Sequence, residues 1–149
     1  MSPRFNNFLP FIYNHENVYN KRHQVVPEND PSDPGGLTKY GIDMASNPHV
    51  DVANLTEPQA REIYWNEWQA CGAEGMAAGL GECVFNCAVN CGAGRVAKIM
   101  AGGCETGDLF LDRQEDFYRR LAAKRAKAKK YLKGWLNRTA DLRKFLKLP

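Results

Sequence analysis

Apolar residues recur along most of this chain at the three-to-four residue spacing of a helix, and one stretch lacks that spacing. Near the start, Phe8, Leu9 and Ile12 share a face that Glu16 continues by one more turn. Asn7 is placed to cap this helix, and Pro10 then falls in the first turn, where its missing N–H is harmless. LTEPQAREIYWNEW carries a second start signal. Thr56 is the N-cap, Gln59 completes a capping box, Pro58 is tolerated in the first turn, and Ala60, Ile63, Tyr64 and Trp68 form the inward stripe. Gly72 to Gly81 reads as a connection. A helix from about Glu82 follows, with Val84, Phe85, Ala88 and Val89 inward and Gly92 and Gly94 breaking it. A short helix runs through Val96, Ile99 and Met100 to Gly102-Gly103. Asp112 with Glu115 caps a long one bearing Phe117, Tyr118, Leu121 and Ala122. A last periodic segment holds Leu132, Trp135, Leu136, Thr139, Leu142 and Phe145. Residues 20–50 resist a helix, because Pro27, Pro31, Pro34, Gly35 and Gly36 sit there among polar side chains. The pattern predicts a mostly α, single-domain chain with a small irregular or β lobe around residues 20–50.

The 149 residues suit one domain with a modest core, and 44% hydrophobic with 25% charged residues is the composition of a globular protein. No apolar run approaches the roughly 18 residues of a membrane span. The N-terminus has neither an apolar h-region nor a small-residue cleavage site, so synthesis in a cytoplasm without a signal peptide is expected. Five cysteines, an odd number, argue against a disulfide framework. Cys83, Cys87 and Cys91 recur every four residues on one helix face and read as compact hydrophobes, with no metal-ligand spacing to His15, His23 or His49. The net charge of +3 hides a split: residues 1–118 hold 8 Lys/Arg against 16 Asp/Glu, and residues 119–149 hold 12 against Asp141 alone. That tail is either a solvated basic face or a surface for an anionic partner.

One constellation carries candidate chemistry. Glu16 ends an apolar stripe just before a loop crowded with Asp, Pro, Gly and Thr. It is either a helix-end carboxylate turned to solvent or a desolvated acid with a raised pKa, poised to donate a proton. Glycoside hydrolysis pairs such an acid with a second carboxyl group, and the loop supplies Asp30 and Asp33. Asp33-Pro34-Gly35-Gly36 favours a tight turn with positive φ at a glycine, and Thr38 follows closely enough to hold a water. Tyr19 and Tyr40 offer flat faces for a sugar ring, or plain packing.

Glu16 followed by Tyr19, then Asp33-Pro34-Gly35-Gly36, Thr38 and Tyr40-Gly41-Ile42, resembles the signature of glycoside hydrolase family 108, which contains peptidoglycan-cleaving N-acetylmuramidases, many of them phage endolysins. Tyr64 and Trp68, Asn90 and Gly92 within VFNCAVNCGAGRVAKIM, and Arg113, Tyr118 and GWLNR (134–138) extend the likeness over nearly the whole chain. There are two departures. Asn17 and Val18 stand where the family usually has Gly-Gly, and Asn86 stands where an Asp is common.

The resemblance implies a lysozyme-like fold, with residues 1–72 as a catalytic part and 82–149 as a helical, peptidoglycan-binding-type part. It implies Glu16 as catalytic acid, Asp33 and Thr38 as its catalytic partners, and Tyr19, Tyr40 and Asn90 as substrate contacts. The expected reaction is hydrolysis of the β-1,4 bond between N-acetylmuramic acid and N-acetylglucosamine, with inversion and without metal or organic cofactor. The expected setting is a monomeric endolysin in the host cytoplasm that reaches the wall without its own signal peptide. Peptidoglycan is the partner, helped by an anionic envelope surface under the basic C-terminal helix, and no specific nucleic acid is expected. A lytic transglycosylase, or a non-catalytic basic module that binds cell wall or nucleic acid, are the alternatives.

Overall fold

The computed structural model describes residues 1–25, 27–29 and 35–149. They form α1 (Pro3–His15), β1 (Thr38–Lys39), β2 (Ile42–Asp43), α2 (Glu57–Ala70), a 3-10 turn at Ala73–Gly75, α3 (Leu80–Cys91), α4 (Ala93–Met100), α5 (Gly107–Lys124), α6 (Ala126–Lys129) and α7 (Leu132–Leu146). They divide into two compact units, Met1–Asn66 and Glu67–Pro149.

In the first unit, α1 starts earlier than Asn7. Ser2 is the N-cap, its hydroxyl accepting the Phe5 N–H at 3.2 Å, and Pro3 opens the first turn. Pro10 therefore lies inside the helix, on its exposed face. An interior proline costs roughly 3 kcal/mol. Starting at Pro3 adds Phe5 to a buried face that already holds Phe8, Leu9, Phe11, Ile12 and Tyr13, each contributing about 1.5–3 kcal/mol, so burial wins. The helix ends in a Schellman turn: Val18 N–H donates to Tyr13 O at 3.0 Å, with Asn17 at φ +51° and Glu16 as C-cap.

As expected, the described part of 20–50 holds no helix. β1 and β2 pair antiparallel, with Thr38 opposite Asp43 and Lys39 opposite Ile42. Tyr40 and Gly41 connect them with φ of +56° and +75°, the signs of a type I′ hairpin turn. Glu28 extends the ladder on the other side of Thr38, exchanging two backbone bonds of 2.8 Å with it. At the start of α2 the Gln59 half of the Thr56–Gln59 box is in place, with Thr56 N–H donating to Gln59 Oε1 at 2.9 Å, while the Thr56 hydroxyl donates to the same oxygen at 2.7 Å.

The second unit is built on the buried residues Trp68, Val84, Phe85, Phe110, Leu111, Tyr118 and Leu142. Glu82 stands inside α3 rather than at its start, and its carboxylate reaches back to the Gly79 N–H at 2.8 Å. Gly92 ends α3, but Gly94 lies within α4. Thr106, not Asp112, caps α5 through the Leu109 N–H at 3.3 Å, and the extra turns bury Phe110 and Leu111. Asp112 instead takes the Arg143 guanidinium at 2.6 Å, and Arg143 also reaches Asp108 and Glu115. The basic tail is consequently not one helix but the end of α5, α6 and α7, with Trp135 stacked on Tyr118 at 5.0 Å. Tyr131 and Phe145 are about half exposed, at 52% and 48%.

All five cysteines are free, and Cys83 and Cys87 are buried as compact hydrophobes. Cys91 differs. Tyr118 Oη accepts from Asn90 Nδ2 at 2.9 Å and Gln114 Nε2 at 2.7 Å, which fills its lone pairs and turns its proton toward Cys91 Sγ, 3.3 Å away. The Cys87 thiol, the Tyr118 hydroxyl and the charges of Arg138 and Arg95 stabilise the thiolate and lower the Cys91 pKa to about 6 against the pull of burial. The Cys87 thiol is held protonated by the same bond and by its own burial.

Candidate active site

A cleft of about 540 Å³ opens in the first unit, and the C-terminus of α1 forms one wall. His15, Glu16 and Asn17 line it from the end of that helix, and Glu28, Thr38 and Asp43 line it from the β ladder, together with Gly35, Gly41, Ala45 and Ser46. Thr38 pairs with Asp43 across the two strands and bridges to Glu28 on its other side, so the three side chains share a face. Asp43 Oδ1 is fixed by the Ser46 N–H at 2.8 Å.

Glu16 is held by an arrangement that starts in α2. Tyr64 Oη donates to Tyr40 O at 2.9 Å and clamps the hairpin turn. The turn then packs Gly41 onto the acid: a Cβ at Gly41 would stand 2.8 Å from Glu16 Cβ, 3.0 Å from its Cγ and 2.6 Å from Tyr64 Oη. Only glycine satisfies both the positive φ and this approach. The half-buried carboxylate therefore projects into the cleft from a stem pinned between a helix cap and a hairpin.

Glu16 and Thr38 thus line one cleft. Asp33 and Asp30 lie outside the described residues. Gly36 takes the positive φ expected of its turn, +69°. Tyr19 and Tyr40 do not line the cleft. Their rings pack around Tyr13 at 5.9 and 6.4 Å, and Tyr19 Oη donates to Glu57 Oε1 at 3.4 Å. Burial and the Glu57 charge raise the Tyr13 and Tyr19 pKa values, so both stay neutral. Asn90 belongs to the second unit, bonded to Tyr118. Asn86, where the resemblance favours an Asp, is fully buried there and accepts from Arg138 Nε at 2.9 Å. Glu28 and Asp43 escaped the sequence reading, because their places depend on strand pairing; Gly41 was noticed only as part of a motif. Among the described residues, no group of three or more His, Cys, Asp or Glu is arranged to hold a metal ion.

The family profile described as Glycosyl hydrolase 108 matches residues 11–92, more than half of the chain and the whole of the Glu16 cleft. The chain belongs to glycosyl hydrolase family 108. It is a glycoside hydrolase with peptidoglycan as its substrate class. A solved structure of SagA from Brucella abortus is similar to it, with a TM-score of 0.74 and 20% identity over 95% of this chain and 92% of that one. That likeness shows the fold, mostly helical and lysozyme-like with a two-stranded sheet, as the residue pattern and the resemblance predicted. No curated protein matches the chain.

Proposed function

We propose that this family 108 hydrolase is an N-acetylmuramidase that cleaves the β-1,4 bond between N-acetylmuramic acid and N-acetylglucosamine, with Glu16 as general acid. The observation that carries the reading is the pinned stem of Glu16 at the cleft that Thr38 also lines. Rigid support at that position is what proton delivery to a glycosidic oxygen needs, since general acid catalysis depends on geometry first. The Thr38 hydroxyl orients the attacking water from β1, and Asp33 is assigned as the base that deprotonates it, on the strength of the family signature. A single displacement by water inverts the anomeric centre. In this reading the enzyme is an endolysin that acts on the wall from the side of the host cytoplasm.

Glu16→Gln tests the assignment. Lysis of permeabilised Gram-negative cells should fall roughly 10²–10⁴-fold with an unchanged circular dichroism spectrum. A variant keeping more than about half its activity removes Glu16 from the mechanism. Product analysis of digested murein separates the rival chemistry: a new reducing end supports hydrolysis, and an anhydro end assigns the chain to the transglycosylases.

A further inference from the structure

The second unit carries a cationic slot that the cleft chemistry does not use. Arg95 and Lys98 project from α4, and Arg113 and Arg120 from α5, around a cavity of about 170 Å³ whose remaining lining is Ile99, Ala101 and Phe117. The spacing explains the convergence. Residues 95, 98 and 99 share one face of α4, and 113, 117 and 120 share one face of α5, so packing the two helices brings four cations around an apolar floor. Two of the arginines are fixed before any ligand arrives. Arg113 Nη1 donates to Ile99 O at 3.0 Å and Ala101 O at 3.5 Å, and the Arg95 guanidinium lies over the Phe117 ring at 3.5 Å. Among the described residues, no carboxylate lines the slot and none of its four cations makes an ion pair. Four like charges without counter-ions repel one another, and an anion seated between them relieves that repulsion.

We propose that this slot binds a carboxylate of a short acidic peptide, of the kind that hangs from peptidoglycan strands. The proposal rests on peptidoglycan being the substrate class. A guanidinium fork reads carboxylate and phosphate alike. The apolar floor of Ile99, Ala101 and Phe117 favours the carboxylate, which arrives on an aliphatic stem that can cover it, whereas a phosphate offers only oxygen to that surface. Lys98 and Arg120, both exposed, stand at the mouth, where they meet further carboxylates along the peptide.

Calorimetric titration of the full chain with a soluble tetrapeptide containing D-glutamate and diaminopimelate tests the site. The same peptide with its carboxylates amidated, and glycerol phosphate, are the comparison ligands. None contains a glycosidic bond, so the outcome is independent of whether Glu16 cleaves as proposed. The free peptide should bind more tightly than either comparison ligand, and its affinity should fall as salt rises. Lys98→Gln with Arg120→Gln should weaken it about three- to tenfold at low salt, with a melting temperature that does not fall, because neither side chain is paired and their removal relieves like-charge repulsion. Equal binding by the double variant, equal binding of the amidated peptide, absence of peptide binding, or tighter binding of glycerol phosphate each overturns the proposal. The last result would assign the slot to phosphate polymers of the envelope.

Discussion

Gly41→Ala is the sharpest test of how the fold holds its acid. Gly41 and Gly36 both sit in the left-handed region, at φ +75° and +69°, so alanine at either costs about 1–2 kcal/mol of backbone strain. Their surroundings differ. Among the described residues nothing lies within 4 Å of a Cβ at Gly36, whereas at Gly41 it meets Tyr64 Oη at 2.6 Å and Glu16 Cβ at 2.8 Å. Reaching ordinary contact near 3.4 Å requires the Glu16 stem to move by about 0.6 Å, and Tyr64 must leave Tyr40 O, a bond contributing about 0.5–1.5 kcal/mol. Gly36→Ala should therefore lower the melting temperature by about 4 °C and Gly41→Ala by about 8 °C, at roughly 3 °C per kcal/mol for a chain this size. Activity separates them further. On the proposed assignment of Glu16 as general acid, displacing it loses the alignment that catalysis needs, and misplacement approaching 1 Å costs on the order of 10²-fold, so Gly41→Ala should lose about 10–10²-fold in hydrolytic rate well below its melting point. Gly36→Ala should stay within about threefold of wild type, since its contacts leave Glu16 alone. Turbidity assays on both proteins, alongside thermal melts, give the comparison. Equal activity in the two alanine variants would refute the claim that Gly41 positions Glu16.

Three further outcomes follow from the same geometry. In the series Asp33→Asn, Asp30→Asn, Asp43→Asn and Glu28→Gln, Asp33→Asn should lose roughly 10²–10⁴-fold and the others less than about tenfold; if Asp43→Asn or Glu28→Gln proves the most damaged, the second carboxyl group belongs to the β ladder that lines the cleft with Glu16. Proton NMR of the first-formed product should show the α anomer, and a β anomer would mean retention. Cys91, with its pKa lowered to about 6, should be alkylated by iodoacetamide ahead of the other thiols, with a rate midpoint near pH 6. Because its folded pKa is depressed, the stability it contributes is present above the unfolded thiol pKa and lost as pH falls through 6. Tyr118→Phe removes the hydroxyl donor and should move that midpoint upward; an unchanged profile refutes the hydroxyl's part in it.

The helical half of the fold was legible because burial imposes a period that the sequence displays. The starts of helices were less so. Ser2 and Asn7 can both cap, as can Thr106 and Asp112, and the choice falls to whichever start buries more apolar surface: Phe5 for α1, Phe110 and Leu111 for α5. Local rules place a proline at a helix start, yet they are overridden when the face on either side of Pro10 is needed in the core. Candidate site residues divide in the same way. Glu16 and Thr38 sit in motifs that mark them, whereas Glu28 and Asp43 enter the cleft only through their pairing with Thr38, which no run of neighbouring residues reveals. Tyr40-Gly41 was hidden for a further reason: tyrosine is a rare choice for the first left-handed position of a hairpin turn, where Asn or Asp is the usual signal.

The departure beside Glu16, Asn17-Val18 for Gly-Gly, shows how a cleft can keep its geometry while its sequence changes. Where the family signature has Gly-Gly, a left-handed residue is needed to close the Schellman turn that makes Glu16 a C-cap. Asn17 supplies it at φ +51°, and Asn is among the non-glycine residues that enter that region at least cost. Val18 then stands at the position whose side chain packs back on the helix end, and it is buried at 3% exposure, so its methyl groups add apolar burial that glycine would lack. The Asn17-Val18 pair therefore keeps the backbone path and fills the core beneath it. Asn17 is exposed and lines the cleft, so its side chain alters what the substrate meets at the rim, while the helix cap that aims Glu16 stays as the signature requires.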